Sequence, residues 1–150
     1  METVNAADTH AALRAWAAGM HSIVAGVELL IRAYDGRLAH PGLPWIKVEA
    51  DGWAWVDAQA AMQESSALSG GEQRVLRIAA SLLHTGIAVS LSDVLPGLDR
   101  EVLSLVLAAV AHAGGSHEHS ELVTTEWDLD GQPRQARLVQ LGSLYPWPKP

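Results

Sequence analysis

Apolar residues recur with helical spacing over the first part of the chain, and this pattern constrains the fold more than any other. The positions step by one or three residues: Leu13, Trp16, Ala17, Met20, Ile23, Val24, Val27, Leu30, Ile31 and Tyr34. Such a periodicity predicts an amphipathic helix. Asn5 is the expected N-cap, and Asp35–Gly36 is the expected end.

A single helix of this length exceeds what one small domain can cover. About 30 residues rising ~1.5 Å each give a helix roughly 45 Å long, whereas a chain of 150 residues has a radius of gyration of about 15 Å. We therefore expect the helix to break at Gly19 or Gly26, or to extend past the body. Its excess length and the heptad spacing within Leu13–Tyr34 predict a homodimer formed through this helix.

A stripe of small residues runs along the same segment and would let another helix approach closely. We interpret this stripe as packing inside one chain in preference to self-association. Its members are Ala12, Ala15, Gly19, Ser22 and Gly26.

A Trp-rich β-hairpin is predicted next. Trp45–Ala50 and Trp53–Val56 are β-prone and flank Asp51–Gly52, a two-residue hairpin turn. The residues that this pairing places on one face are Ile46, Val48, Trp53 and Trp55. We interpret that face as core.

The order of predicted elements from Leu68 to Leu141 resembles a winged-helix domain. The elements are a capped helix (69–84), a β-prone stretch (87–89), a short helix (92–95), a longer helix (99–113) and a hairpin with strands at 122–129 and 134–141. The resemblance implies that the longer helix lies in the DNA major groove and that the hairpin is the wing.

We therefore predict an α+β fold in one domain. Residues 1–67 would form the N-terminal helix and first hairpin, 68–141 the winged-helix-like unit, and 142–150 a Pro-rich tail. The run from Leu68 to Ser120 also resembles stretches of proteins from high-GC bacteria and their mobile elements, a resemblance that implies no activity.

The string Leu68–Gln73 resembles the signature loop of ATP-binding-cassette ATPases. The sequence contains no GxxxxGK[ST] pattern, however, so it lacks the loop that cradles phosphates. Ser69 and Glu72 have the S-x-x-E spacing of a capping box. We interpret the string as the start of a helix and expect no nucleotide hydrolysis.

Charge and cysteine content exclude several classes of function. Ten Lys and Arg against 17 Asp and Glu, a net charge of −7, argue against a main role in binding phosphate backbones. The absence of cysteine removes disulfides, thiol nucleophiles and cysteine-built metal sites, and it fits a cytoplasmic location.

No segment has the apolar length of a membrane span or the pattern of a secretory signal.

Histidines and carboxylates cluster after the third predicted helix. His117 and His119, two residues apart in an extended loop, should point the same way, and His112 or Glu121 would complete a ligand set. Imidazole together with carboxylate suits zinc or iron. The alternative, which we favour at this stage, is a polar, solvated loop without a metal. No other cofactor is expected.

These observations favour a non-enzymatic protein–protein interaction module. The first strand of the predicted wing is acidic, and the Pro-rich tail, with Tyr145 and Trp147, would cover an apolar strip or join the contact. One alternative is a winged-helix DNA-binding regulator that uses Arg100, Arg134 and Arg137. A second alternative is a small metalloprotein with histidine ligands.

Overall fold

The computed structural model describes residues 4–150 and has a mixed α+β fold. The helices are α1 (Ala6–Ala17), α2 (His21–Arg32), α3 (Ala58–Gln63), α4 (Gly70–Leu83), α5 (Leu91–Val94) and α6 (Arg100–Ala113). The strands are β1 (Ile46–Val48), β2 (Ala54–Val56), β3 (Ser120–Trp127) and β4 (Pro133–Gln140), and two 3₁₀ segments span Ala33–Ala39 and Ser116–Glu118. Within residues 4–150, no helix has both the length and the apolar character that crossing a membrane requires.

The long N-terminal helix predicted from the periodicity is two helices. Between them Gly19 has φ +87°, a backbone conformation that glycine adopts without steric strain. The chain therefore breaks at Gly19, one of the two glycines at which a break was expected. The prediction of a single long helix was wrong. Leu13 of α1 and Val27 of α2 are buried within the chain. Helix length thus gives no argument for a homodimer, which stays an expectation.

Helix α2 lies at the centre of the fold. It packs against α1, α4 and α6, and every residue from Ala25 to Ile31 is buried. Gly26 faces α4, where an added Cβ would lie 2.7 Å from Cγ of Leu83 and 3.1 Å from the carbonyl oxygen of Ala79. The small residue therefore permits the close approach of two helices of one chain.

The first hairpin forms, but with a register that differs from the predicted one. The backbone N–H of Glu49 donates to the carbonyl of Trp53 at 2.7 Å, so the loop has three residues, Ala50–Gly52, and Gly52 has φ +88°. The strand pairs are Ile46 with Val56, Lys47 with Trp55 and Val48 with Ala54. One extra loop residue moves Trp53 and Trp55 to the other face. The predicted face was therefore wrong.

The predicted starts of α4 and α6 are confirmed by hydrogen bonds. The Ser69 hydroxyl accepts from the backbone N–H of Glu72 at 3.3 Å, and the Glu72 carboxylate accepts from the backbone N–H of Ser69 at 3.2 Å. This is the capping box of α4. At α6, Asp99 accepts from the backbone N–H of Val102 at 2.8 Å, and Gly114–Gly115 follow the last helical residue.

The second hairpin pairs β3 with β4 and projects from the helices. Both strands are exposed along nearly their whole length. Residues 87–89, expected to be β-prone, form no strand. Helix α6 packs more extensively against α2 than against α4. The core is therefore shared between the segments 1–67 and 68–141.

Candidate metal centre

Three histidines from three separate elements meet at one end of the α2–α6 pair. His21 is the first residue of α2, His112 lies in the last turn of α6, and His117 lies in the 3₁₀ segment Ser116–Glu118. The contact between His21 and His112 shows that the start of α2 lies beside the end of α6. The two helices therefore run antiparallel, and the chain after α6 folds back over their shared end.

The three imidazole rings are close enough to share one metal ion. One nitrogen of each ring lies within 4.8 Å of the corresponding nitrogens of the other two rings. His112 and His117 stack with 4.2 Å between ring centroids, and His21 meets His117 edge-on at 4.8 Å. Two nitrogens on a tetrahedral zinc ion with bonds of ~2.0 Å lie about 3.3 Å apart. Because the rings of His112 and His117 stack with only 12° between their planes, they would reorient on binding a metal ion to reach that spacing.

One nitrogen of the cluster is buried without a hydrogen-bond partner. Nδ1 of His117 is inaccessible to solvent and has no partner among the described residues. Buried polar atoms in folded proteins are nearly always paired, because an unpaired one keeps its full desolvation penalty. A metal ion at this position would satisfy the nitrogen.

Glu118 orients the ring of His21. Nε2–H of His21 donates to the Glu118 carboxylate at 2.9 Å. This hydrogen bond from His21 lowers the pKa of Glu118, so the carboxylate is ionised at neutral pH. Metal-binding histidines commonly donate one ring N–H to a carboxylate, which leaves the other nitrogen for the metal. That arrangement would leave Nδ1 of His21 free to bind a metal ion.

The protonation of His112 also suits a ligand. Burial lowers the pKa of His112, and the neighbouring His117 and His21 lower it further. The ring is therefore neutral at pH 7, and the neutral form is the one that binds a metal ion.

The structure brings together two of the four ligands predicted from the sequence. His112 and His117 are in the cluster, whereas His119 is exposed at the start of the hairpin and Glu121 is exposed on β3. The prediction assumed an extended loop, in which residues two apart point the same way. The segment Ser116–Glu118 is instead a 3₁₀ turn with about three residues per turn, so side chains two apart diverge. For this reason His119 and Glu121 lie outside the cluster.

Sequence reasoning missed His21 as a member of the cluster. His21 is distant in sequence from His112 and His117, and no local motif connects it to them. Only the break at Gly19 and the antiparallel packing of α2 on α6 bring it to the site. A signal for His21 would have required a prediction of which helices pair.

The residues predicted for partner or DNA contact are dispersed. Arg100 begins α6, at the end opposite the histidines, and Arg134 and Arg137 are exposed on β4. Tyr145 is exposed, whereas Trp147 is half-buried against the core. The guanidinium of Arg32 in α2 lies 5.0 Å from the centroid of the Trp147 ring. The tail therefore packs back on the helices at Trp147.

Comparison of the chain with protein-family models, with curated proteins and with solved structures gives no match.

Proposed function

We propose that this protein binds a transition-metal ion, Zn²⁺ above others, through His21, His112 and His117. The observation that supports the proposal is the convergence of three imidazoles from separate elements around a buried nitrogen that lacks a partner. Three histidines are a known zinc ligand set, and imidazole also suits copper, nickel and iron. The cysteine-free sequence offers no thiolate that would change this preference.

Metal analysis and calorimetric titration with ZnCl₂ on the untagged protein test the proposal. We expect one zinc ion per chain. Loss of a carboxylate that only orients a ligand reduces metal affinity about 10- to 100-fold, so loss of a ligand itself should reduce it by more than ~100-fold. His21→Gln, His112→Gln and His117→Gln should each have this effect.

The neighbouring polar residues provide matched controls. His119→Gln and Glu121→Gln change residues of the same loop and strand outside the cluster, and both should keep the affinity of the wild type. Glu118→Gln should weaken binding by an intermediate factor of about 10 to 100. Stoichiometric zinc that survives His117→Gln, or a wild type that binds no zinc, would contradict the proposal.

A protein–protein interaction role is the second candidate, and the projecting hairpin favours it. Leu122 and Leu138 pair directly across β3 and β4, with 69% and 71% of their surfaces exposed. An isolated two-stranded hairpin is marginally stable in water unless another surface packs against it. Thr124, Ala136 and Gln140, which share this face in the strand register, carry no charge, so the partner we propose is a protein that presents an apolar patch. The role is non-enzymatic, and a cytoplasmic setting fits the cysteine-free sequence.

Site-specific photo-crosslinking in the producing cell tests this second role. A photoreactive residue at Leu122 or Leu138 should give one defined crosslinked species whose partner presents an apolar surface. The same photoreactive residue placed at position 132, where Gln132 lies in the exposed turn of the hairpin, should give no crosslinked species. Absence of crosslinks at both leucines, or equal crosslinking at Gln132, would contradict the role.

A further inference from the structure

A second concave site lies at the opposite end of the α2–α6 pair. A cleft of about 830 Å³ opens between the end of α2, the start of α6 and residues 148–150 of the tail. Its volume falls in the range of small-molecule sites, roughly 300–1,000 Å³. The cleft shares no lining residue with the histidine cluster.

Cations predominate in this cleft, although the chain as a whole is acidic. The cationic lining residues are Arg14, Arg32, Arg100 and Lys149, and the acidic ones are Asp35 and Glu101. The whole chain has 10 Lys and Arg against 17 Asp and Glu. The fold therefore gathers scarce positive charge at one place, and this local field would attract an anion.

Two of the four cations have no ion-pair partner among residues 4–150. Glu28 binds Arg14 Nε at 2.6 Å and Arg32 Nε at 2.7 Å, which neutralises part of their charge. Arg100 and Lys149 have no such carboxylate within the described chain. They are the lining side chains that are available to an incoming anion.

The cleft also has an apolar wall. Ile31 of α2 and Leu105 of α6 are nearly buried and line the cleft with Pro148 of the tail. An apolar wall with a few polar groups is typical of sites that bind organic molecules and not bare ions.

The backbone at the rim of the cleft is strained. Asp35 lines the cleft with φ +55°, and Tyr34 before it has φ +51°. Left-handed backbone at non-glycine residues carries a steric penalty, and such strain concentrates at ligand sites.

We propose that this cleft binds a small organic anion with an apolar body and a single negative group such as a carboxylate. Arg100 and Lys149 contact the negative group, and Ile31 and Leu105 contact the apolar body. Because Glu28 already pairs with Arg14 and Arg32, the two remaining cations suit a ligand with one negative group beside the apolar wall.

Titration of the full-length protein with 4-phenylbutyrate, followed by ¹H–¹⁵N NMR, tests the proposal. We expect saturable shifts confined to the cleft residues. The uncharged analogue 4-phenylbutyramide should bind about tenfold more weakly or not at all, because it keeps the apolar body but lacks the charge. Arg100→Gln and Lys149→Gln should each weaken binding of 4-phenylbutyrate by roughly tenfold.

Arg134→Gln on β4 is the matched control, since it changes the net charge equally but lies outside the cleft. This variant should bind 4-phenylbutyrate as the wild type does. Equal binding of acid and amide, equal binding of 4-phenylbutyrate and inorganic phosphate, or shifts outside the cleft would overturn the proposal. A wild type without saturable binding of 4-phenylbutyrate would overturn it as well.

Discussion

Glu28 lies nearly buried in α2 between the guanidinium groups of Arg14 and Arg32. Burial by itself would raise the pKa of Glu28, but the hydrogen bonds from both arginines outweigh it and hold the pKa below its ordinary value. A carboxyl with a lower pKa in the folded state stabilises the fold above its unfolded pKa. That contribution is lost as the pH falls through the folded pKa.

We expect Glu28→Gln to lower the free energy of unfolding by about 2 kcal/mol at pH 7, because three charge-assisted hydrogen bonds from the two arginines lose their acceptor charge. The difference from the wild type should shrink as the pH falls below ~4.3, where the carboxyl of the unfolded chain takes up its proton. Urea unfolding at several pH values measures both effects. Glu64→Gln, at an exposed position, serves as the control, and a pH-independent difference for Glu28→Gln would refute the argument.

At the scale of elements, the contact between α2 and α4 depends on the absence of a side chain at Gly26. A methyl group there would lie 2.7 Å from Cγ and 2.9 Å from Cδ2 of Leu83, and 3.1 Å from a backbone oxygen of α4. Overpacking of this kind costs about 1–3 kcal/mol. We therefore expect Gly26→Ala to lower the free energy of unfolding by about that amount, as measured by urea denaturation.

Gly114→Ala is the matched control for this prediction. Gly114 follows α6 with φ −75°, and a methyl group there would meet its nearest atom at 3.5 Å, an ordinary contact. The substitution should leave the stability unchanged or slightly higher, because alanine restricts the unfolded chain. Equal losses for the two variants would show that close packing is not the cause.

At the scale of the whole molecule, the charge distribution opposes binding to DNA. The net charge is −7, and the arginines of the DNA-binding alternative do not form one surface. Arg100 lies in the cleft, whereas Arg134 and Arg137 lie on the projecting hairpin. Without a continuous positive face, few phosphates can be neutralised.

We expect no complex with duplex DNA tighter than ~10⁻⁴ M near physiological salt, which is the weak end of non-specific binding. Fluorescence anisotropy with random and genomic duplexes measures this affinity. A sub-micromolar complex with a defined duplex, weakened by Arg100→Ala, would refute the prediction and support a DNA-binding regulator.

Local signals in the sequence determined the starts of α4 and α6, the break between α1 and α2, and the existence of both hairpins, whereas α2 ends at Arg32 and not at the predicted Asp35–Gly36. The capping box at Ser69, the N-cap at Asp99 and the break at Gly19 each depend on residues within one helical turn. For such features the side chain and the backbone groups that it satisfies are close in the sequence. The α+β class follows from these elements, and it was predicted correctly.

Only the tertiary structure decided the register of the first hairpin and the membership of the histidine cluster. An Asp-Gly pair fits hairpin loops of two or three residues, and burial of Ala54 and Val56 beside Ile46, in place of Trp53 and Trp55, selects the longer loop. His21 joins His112 and His117 because α2 packs antiparallel to α6. Contacts between distant segments depend on which apolar faces bury each other, and a local sequence pattern does not encode that choice.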